Sequence, residues 1–193
     1  SWVCSPQNSR PLFPNYKMIA SLVFDELRRT VLNFQHEEPY AFALIQGQQC
    51  NYLGYAVATS MALAETVQQY INSGYRYHGT QALSDAVAIR TWLKWANPDD
   101  GWHYCDFEDN GAIREYLDMH KGNDLSLRNG CLEQLKTVIT QRGVDDVTLG
   151  VTCGEDPEEF RDSVIQIYGK AGHKNFVAEY DTMSRLDADI RRA

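Results

Sequence analysis

Two side chains with possible chemistry, a histidine and a thiol, lie close together in the chain. His103 and Cys105 are two residues apart, so on a strand they would project from the same face. With Asp106 nearby they would suit a thiol hydrolase, and with His120 a zinc site. A thiol nucleophile needs a base and an orienting group, and zinc needs four suitable ligands. The spacing supplies too few groups for either kind of site. We therefore expect a partly buried Cys105 and a surface His103, with no catalytic residues and no bound metal.

Carboxylates and large aromatic side chains alternate through the segment Arg90–Asp109, which holds three of the four tryptophans. Such carboxylates do acid–base or metal chemistry only where burial or a neighbouring charge shifts their pKa. These acids fall among turn residues, so we expect them to form a solvated or partner-facing edge. Trp92 and Trp95 are three apart on one helix face and are expected in the core or at its edge, whereas Trp102 follows a turn and is expected to be exposed. The predicted partner-binding residues are Asp99, Asp100, Trp102, Tyr104, Asp106, Glu108 and Asp109.

The net charge of −8 is concentrated in two blocks. Asp99 to Asp124 holds eight acids and two bases, and Asp145 to Asp162 holds seven acids and one base. Each block is therefore −6, and the rest of the chain carries +4. Phosphate contacts require clustered Lys and Arg, so this pattern argues against a nucleic-acid partner. It favours either a basic protein partner or a solvated surface with no partner. In the second block, Glu158 and Glu159 are expected to stabilise the start of a helix.

Length and composition indicate one ordinary globular domain. The chain has 193 residues, of which 44% are hydrophobic and 23% charged, and it contains no apolar run long enough for a membrane helix. Five scattered cysteines without a C-x-x-C pair are typical of reduced thiols in a cytoplasmic protein, and Cys153 has the pattern of a core thiol. The N-terminus does not read as a signal peptide. No nucleotide-binding loop is present, and no cofactor is expected.

The periodicity of apolar residues predicts how these side chains are positioned. Residues 1–14 form a Pro-containing arm, and residues 15–193 form a single α+β domain that starts with an amphipathic helix. Tyr40–Gln46 and Tyr52–Ala58 predict a hairpin, and Val147–Cys153 predicts a third strand in a small, mostly antiparallel sheet. Residues 102–107 (WHYCDF) fit either a short strand or an ordered loop. Helices are expected to pack mainly on one side of the sheet.

Polar residues predict where several of the helices begin. Thr59 or Ser60 is the predicted cap of the helix that follows the hairpin, and Thr80 that of the next helix. Leu125–Gln141 predicts a long helix, and most of 175–191 a final one. For the helix after the third strand, the expected N-terminus is Asp156 as cap, Pro157 at the first position and Glu159 at the third.

Several short motifs resemble a bacterial family called domain of unknown function 4303. The matching features are the aromatic-alanine-aliphatic strand Tyr40–Leu44, the Ala58–Thr59 step into a helix and the Lys94–Trp95 and Trp102–Tyr104 pair of motifs. The segment Val147–Phe160 with Ser163 is similar to that family's C-terminal signature. The resemblance implies an α+β fold without established catalytic residues. Members look like companions of toxin loci, which implies a role as an immunity protein.

Two functions from different classes are therefore open. The first is a cytoplasmic protein-binding module, an immunity protein that neutralises a cognate bacterial toxin through its acidic, aromatic surface. The alternative is a small hydrolase or metal-dependent enzyme that uses His103 and Cys105.

Overall fold

The computed structural model describes residues 16–47, 52–107, 111–142, 146–153, 156, 158–169 and 174–192. The predicted N-terminal arm, 1–14, lies outside these residues, as do Glu108 and Asp109 at the end of the aromatic segment. Within the described part, no helix is both long enough and apolar enough to cross a membrane.

The described elements follow the order that the sequence predicts. They are α1 (Tyr16–Asn33), a short 3-10 helix (Gln35–Glu37), β1 (Pro39–Gln46), β2 (Leu53–Thr59), α2 (Ser60–Asn72), α3 (Asp85–Lys94), β3 (Trp102–Asp106), α4 (Gly111–His120), α5 (Asp124–Arg142), β4 (Thr148–Thr152), α6 (Glu159–Tyr168) and α7 (Lys174–Arg192). The undecided segment 102–107 thus contains a strand.

The four strands form one open sheet in the order β3-β2-β1-β4. β1 pairs with β2 in antiparallel register, with Phe42 opposite Val57, and β2 pairs with β3 in the same way. β4 runs parallel to β1, with Leu149 opposite Phe42. The sheet is therefore mixed and mostly antiparallel, and the predicted α+β single-domain class is confirmed.

Helices cover both faces of the sheet, which corrects the expectation that they pack mainly on one side. Phe42 and Leu44 of β1 lie in one core with residues of α1, α4 and α5. Ala41 and Ala43 of the same strand lie in a second core with residues of α2, α3, α6 and α7. The reason is that β1 and β2 are apolar on both faces, and a strand of that composition needs cover on each.

Two helix starts differ from prediction. Thr59 caps α2 as predicted, accepting the Ala62 N–H at 3.2 Å. α3, in contrast, is capped by Ser84, whose hydroxyl accepts the Val87 N–H at 3.4 Å, while the Thr80 hydroxyl donates to the Asp189 carboxylate at 3.1 Å. α6 begins at Glu159, since Asp156 accepts the Glu158 N–H at 2.9 Å in a turn before the helix.

The β4 edge of the sheet is closed by side chains. The N–H groups of Leu149, Val151 and Cys153 point away from β1, and each has an acceptor from α6. These are the Tyr168 hydroxyl at 3.0 Å, the Ser163 hydroxyl at 2.8 Å and the Glu159 carboxylate at 3.0 Å. The outward N–H groups of this edge strand are thereby satisfied, which disfavours pairing with another chain.

Candidate protein-binding site

The predicted acidic segment lies at the opposite edge of the sheet, on β3 and the turn before it. Trp102, Tyr104 and Asp106 project from one face of β3, and His103 and Cys105 from the other, because strand residues alternate. The structure thus separates the two groups of candidate residues.

A tight turn presents the first two acids. Asp99 and Asp100 are exposed, and the Asp99 carbonyl accepts the Trp102 N–H at 3.2 Å. Gly101 has a φ of 83°, in the left-handed region that favours glycine, and a Cβ there would lie 2.7 Å from the Thr66 hydroxyl of α2. The turn is therefore fixed against α2 while its carboxylates face solvent.

Tyr104 is the exposed aromatic of the site, with 59% of its surface accessible. Its hydroxyl donates to the Pro98 carbonyl at 2.6 Å, which fixes the ring over the turn. Partial burial, followed by the negative charges of Asp99 and Asp100, raises the pKa of Tyr104. The tyrosine and the two acids thus form one surface.

Asp106 continues this surface along β3. It accepts a hydrogen bond from the hydroxyl of Tyr52, which is 40% exposed. Partial burial and then Asp106 raise the pKa of Tyr52 to about 12. We define the edge surface as Tyr52, Asp99, Asp100, Tyr104 and Asp106. No described Lys or Arg forms an ion pair with its three acids.

Trp102 is buried, which corrects its predicted exposure. Only 8% of its surface is accessible, and its ring meets Phe160 of α6 edge to face, with 5.3 Å between centroids. The turn residues before Trp102 suggested exposure, but the strand begins at this residue, beneath α6. Trp102 therefore supports the edge surface from within. Trp92 is partly buried and Trp95 fully buried, as expected.

His103, on the other face, has a partner that the sequence did not indicate. Its Nε2 lies 2.8 Å from a carboxylate oxygen of Glu37, and its ring stacks on Phe34 with 4.4 Å between centroids. Glu37 also accepts the Thr59 hydroxyl at 3.0 Å. Burial alone would raise the pKa of Glu37, but the hydrogen bonds from His103 and Thr59 outweigh it and lower the pKa.

The thiol of Cys105 lies in surroundings that keep it protonated. It packs at the edge of the core that contains Tyr55, whose hydroxyl donates to Glu26 at 2.8 Å. Burial, with contributions from Glu26 and Asp106, raises the pKa of Cys105. Because the thiolate is the nucleophile, this environment disfavours reaction.

His120 lies elsewhere, buried on α4 against Tyr116, with 4.6 Å between ring centroids. Burial lowers its pKa. Across the ranges that the structure describes, no three His, Cys, Asp or Glu residues are grouped so as to hold a metal ion.

The second acidic block is divided between surface and interior. Asp146 and Asp156 are exposed, but Glu159 is only 7% accessible. In addition to the Cys153 N–H, Glu159 accepts the Cys153 thiol at 2.9 Å and pairs with Arg128 at 3.4 Å. Glu159 thus joins β4, α5 and α6, and Cys153 is a partly buried thiol bonded to it.

Compared with protein-family models, curated proteins and solved structures, the chain matches none of them.

Proposed function

We propose that this chain is a cytoplasmic protein-binding module, an immunity protein that binds and neutralises a cognate bacterial toxin through the edge surface. The observation that carries the proposal is the set of exposed carboxylates at Asp99, Asp100 and Asp106. None of them has an ion-pair partner among the described residues, and the exposed Tyr52 and Tyr104 lie beside them. Carboxylates attract a basic partner over distance, and tyrosines supply contact area after encounter.

The cytoplasmic location and the bacterial context rest on the sequence. An odd number of scattered cysteines favours a reducing compartment. The resemblance to domain of unknown function 4303 supports the toxin assignment. The resemblance rests on short motifs in the sequence, among them Tyr40–Leu44 and Ala58–Thr59.

Co-expression tests the proposal directly. The proposal requires a secreted effector gene directly beside this one; the two gene products are produced together in a bacterial host, and survival is counted. We expect protection by the wild type and its loss in the triple variant Asp99→Asn, Asp100→Asn, Asp106→Asn. Asp25→Asn, Glu115→Gln and Asp118→Asn together form the matched control, because these acids are exposed and lie on α1 and α4. Equal protection by both triple variants, or no protection by the wild type, would contradict the proposal.

The His103–Glu37 pair is the observation that favours a second candidate function, a small hydrolase. A carboxylate that orients a histidine is part of a nucleophilic site, and Cys105 is on the same strand face. The raised pKa of Cys105 argues against it. Peptide-resolved alkylation by iodoacetamide across pH 6 to 10 distinguishes the two. We expect Cys105 to react slowly at pH 7 and faster only as the pH approaches 9 or higher, whereas fast reaction at pH 7 that is lost in His103→Ala would favour the hydrolase.

A further inference from the structure

The outer edge of β3 carries backbone groups without partners among the described residues. The Gly47 N–H donates to the Tyr52 carbonyl at 2.7 Å, which sets the alternation of hydrogen-bonded pairs between β1 and β2. Since residues that bond β1 alternate along β2 with residues that bond β3, the register places the N–H and C=O groups of His103 and Cys105 towards β2. The N–H and C=O groups of Tyr104 and Asp106 therefore point away from the sheet.

The two edges of the sheet differ in whether their outward N–H groups have hydrogen-bond acceptors among the described residues. Three side chains of α6 bond the outward N–H groups of β4, as described above. At β3, the Trp102 N–H bonds the turn, but no described residue bonds the N–H of Tyr104 or of Asp106. An edge strand in this state is a template for another strand.

Charge decides what kind of strand fits. A strand added to β3 would place alternate side chains beside Tyr104 and Asp106, with Asp99 and Asp100 at one end. A second copy of this chain would bring an equally acidic surface there, and like charges across strands are unfavourable. A strand with Lys or Arg at alternate positions would meet carboxylates instead.

We propose that an extended segment of the partner protein, with Lys or Arg at alternate positions, pairs with β3 as an additional strand of the sheet. This inference rests on the proposed function and specifies how the edge surface binds. Backbone hydrogen bonds to Tyr104 and Asp106 hold the segment, and the carboxylates select its charge.

Amide exchange of the isolated protein tests the open edge first. We expect the Tyr104 N–H to exchange much faster than those of His103 and Cys105, since these two bond β2. Slow exchange at Tyr104 would overturn the proposal, because it would mean that the edge is already covered. Loss of that protection on deleting residues 1–14, or on dilution of a dimer, would identify the cover.

A synthetic peptide tests the pairing itself. The probe is a short peptide in which Lys alternates with Val and Thr, and its binding to the full chain is measured by calorimetry. We expect at least a tenfold loss of affinity when alternate amides facing β3 are N-methylated, with both methylation registers tested. Tyr104→Pro should bind at least tenfold more weakly than Tyr104→Ala, since both remove the ring but only proline removes the N–H. If Tyr104→Pro does not fold, the methylated peptides still decide.

The outcomes of these experiments distinguish a failure of strand pairing from a failure of the proposed function. Suppose that neutralising Asp99, Asp100 and Asp106 abolishes peptide binding while N-methylation changes nothing. The edge surface then stands and strand pairing is wrong. If N-methylation abolishes binding but neutralisation has no effect, β3 binds strands and the acidic surface is not the determinant. No binding of the unmethylated peptide overturns the pairing.

Discussion

Trp102 and Tyr104 lie two residues apart on the same face of β3, but their environments are opposite. Trp102 lies beneath Phe160 of α6, whereas Tyr104 lies over the solvent-facing turn. A residue's role at this edge is therefore set by what covers it and not by its type. The aromatic side chain expected to be exposed belongs to the core, and Tyr104 is the exposed aromatic of this strand.

Replacement of Trp102 should affect stability. Trp102→Ala removes a buried ring and leaves a cavity, so we expect the free energy of unfolding to fall by about 3–5 kcal/mol. Tyr104→Ala removes an exposed ring and should cost about 1 kcal/mol or less. Urea denaturation of both variants measures the difference. If Trp102→Ala kept full stability and lost only binding, the tryptophan would be the exposed anchor first expected.

Glu37 should give the protein a specific acid sensitivity. Its pKa in the folded state lies below the ordinary value of 4.5, so the unfolded state takes up a proton first as the pH falls. The stabilisation is fully present above about pH 4.5 and disappears as the pH falls through the lower, folded pKa. Urea denaturation at several pH values should show a smaller loss between about pH 5 and 3 in Glu37→Gln than in the wild type. Parallel curves would mean that folding does not lower the pKa of Glu37.

At the level of elements, α6 both covers one face and closes the β4 edge. Ser163 bonds Val151, and Glu159 bonds Cys153 while it pairs with Arg128. A role in starting the helix, expected from the sequence, describes Glu159 incompletely. Reversing this charge, as in Glu159→Lys, would place a buried cation beside the Cys153 N–H and Arg128. The variant would therefore be destabilised, and it could not serve as a control in binding experiments.

Ser163→Ala tests edge closure. The substitution leaves the buried Val151 N–H without its acceptor, and we expect a loss of about 1–3 kcal/mol in the free energy of unfolding. Ser21→Ala on α1 is the matched control, since Ser21 is exposed, and it should change stability by about 0.5 kcal/mol or less. Thermal unfolding of the two variants makes the comparison. Equal stability would mean that α6 closes the edge by packing alone.

At the scale of the whole molecule, charge and topology coincide at β3. One sheet edge is closed by side chains. The other is acidic and is not covered by any described residue, and Tyr52, just before β2, donates a hydrogen bond to Asp106 of β3. Association there should be governed by electrostatic attraction before contact and by the strand edge after it.

The salt dependence of association follows from that arrangement. We expect the triple reversal Asp99→Lys, Asp100→Lys, Asp106→Lys to slow association with the Lys-alternating peptide by about tenfold at low ionic strength and to flatten its salt dependence. The same reversal at Asp25, Glu115 and Asp118 should change the rate much less, because these exposed acids lie on the helical layer that covers the other face. Stopped-flow measurement over a salt series provides the rates, and circular dichroism verifies the fold. Equal slowing by both triple variants would mean that net charge alone explains the effect.

Local periodicity determined most of the elements. The i, i+3/i+4 stripe of α1 and the apolar runs of β1 and β2 are readable because each depends only on neighbours in the chain. The same information could not fix the layering. β1 is apolar on both faces, and only the assembled sheet reveals that separate groups of helices cover Phe42 and Ala43.

The sequence by itself determined an acidic segment with aromatics, its candidate residues and the poor ligand spacing around His103. Tertiary structure decided which of these residues are exposed and which are bonded to distant groups. It buried Trp102, joined His103 to Glu37 66 residues away and joined Tyr52 to Asp106 54 residues away. Among the described residues, α6 bonds the outward N–H groups of β4, whereas those of Tyr104 and Asp106 in β3 have no partner. The reason is physical: exposure and hydrogen bonding depend on groups brought together across the chain, and residue spacing along a segment carries no record of them.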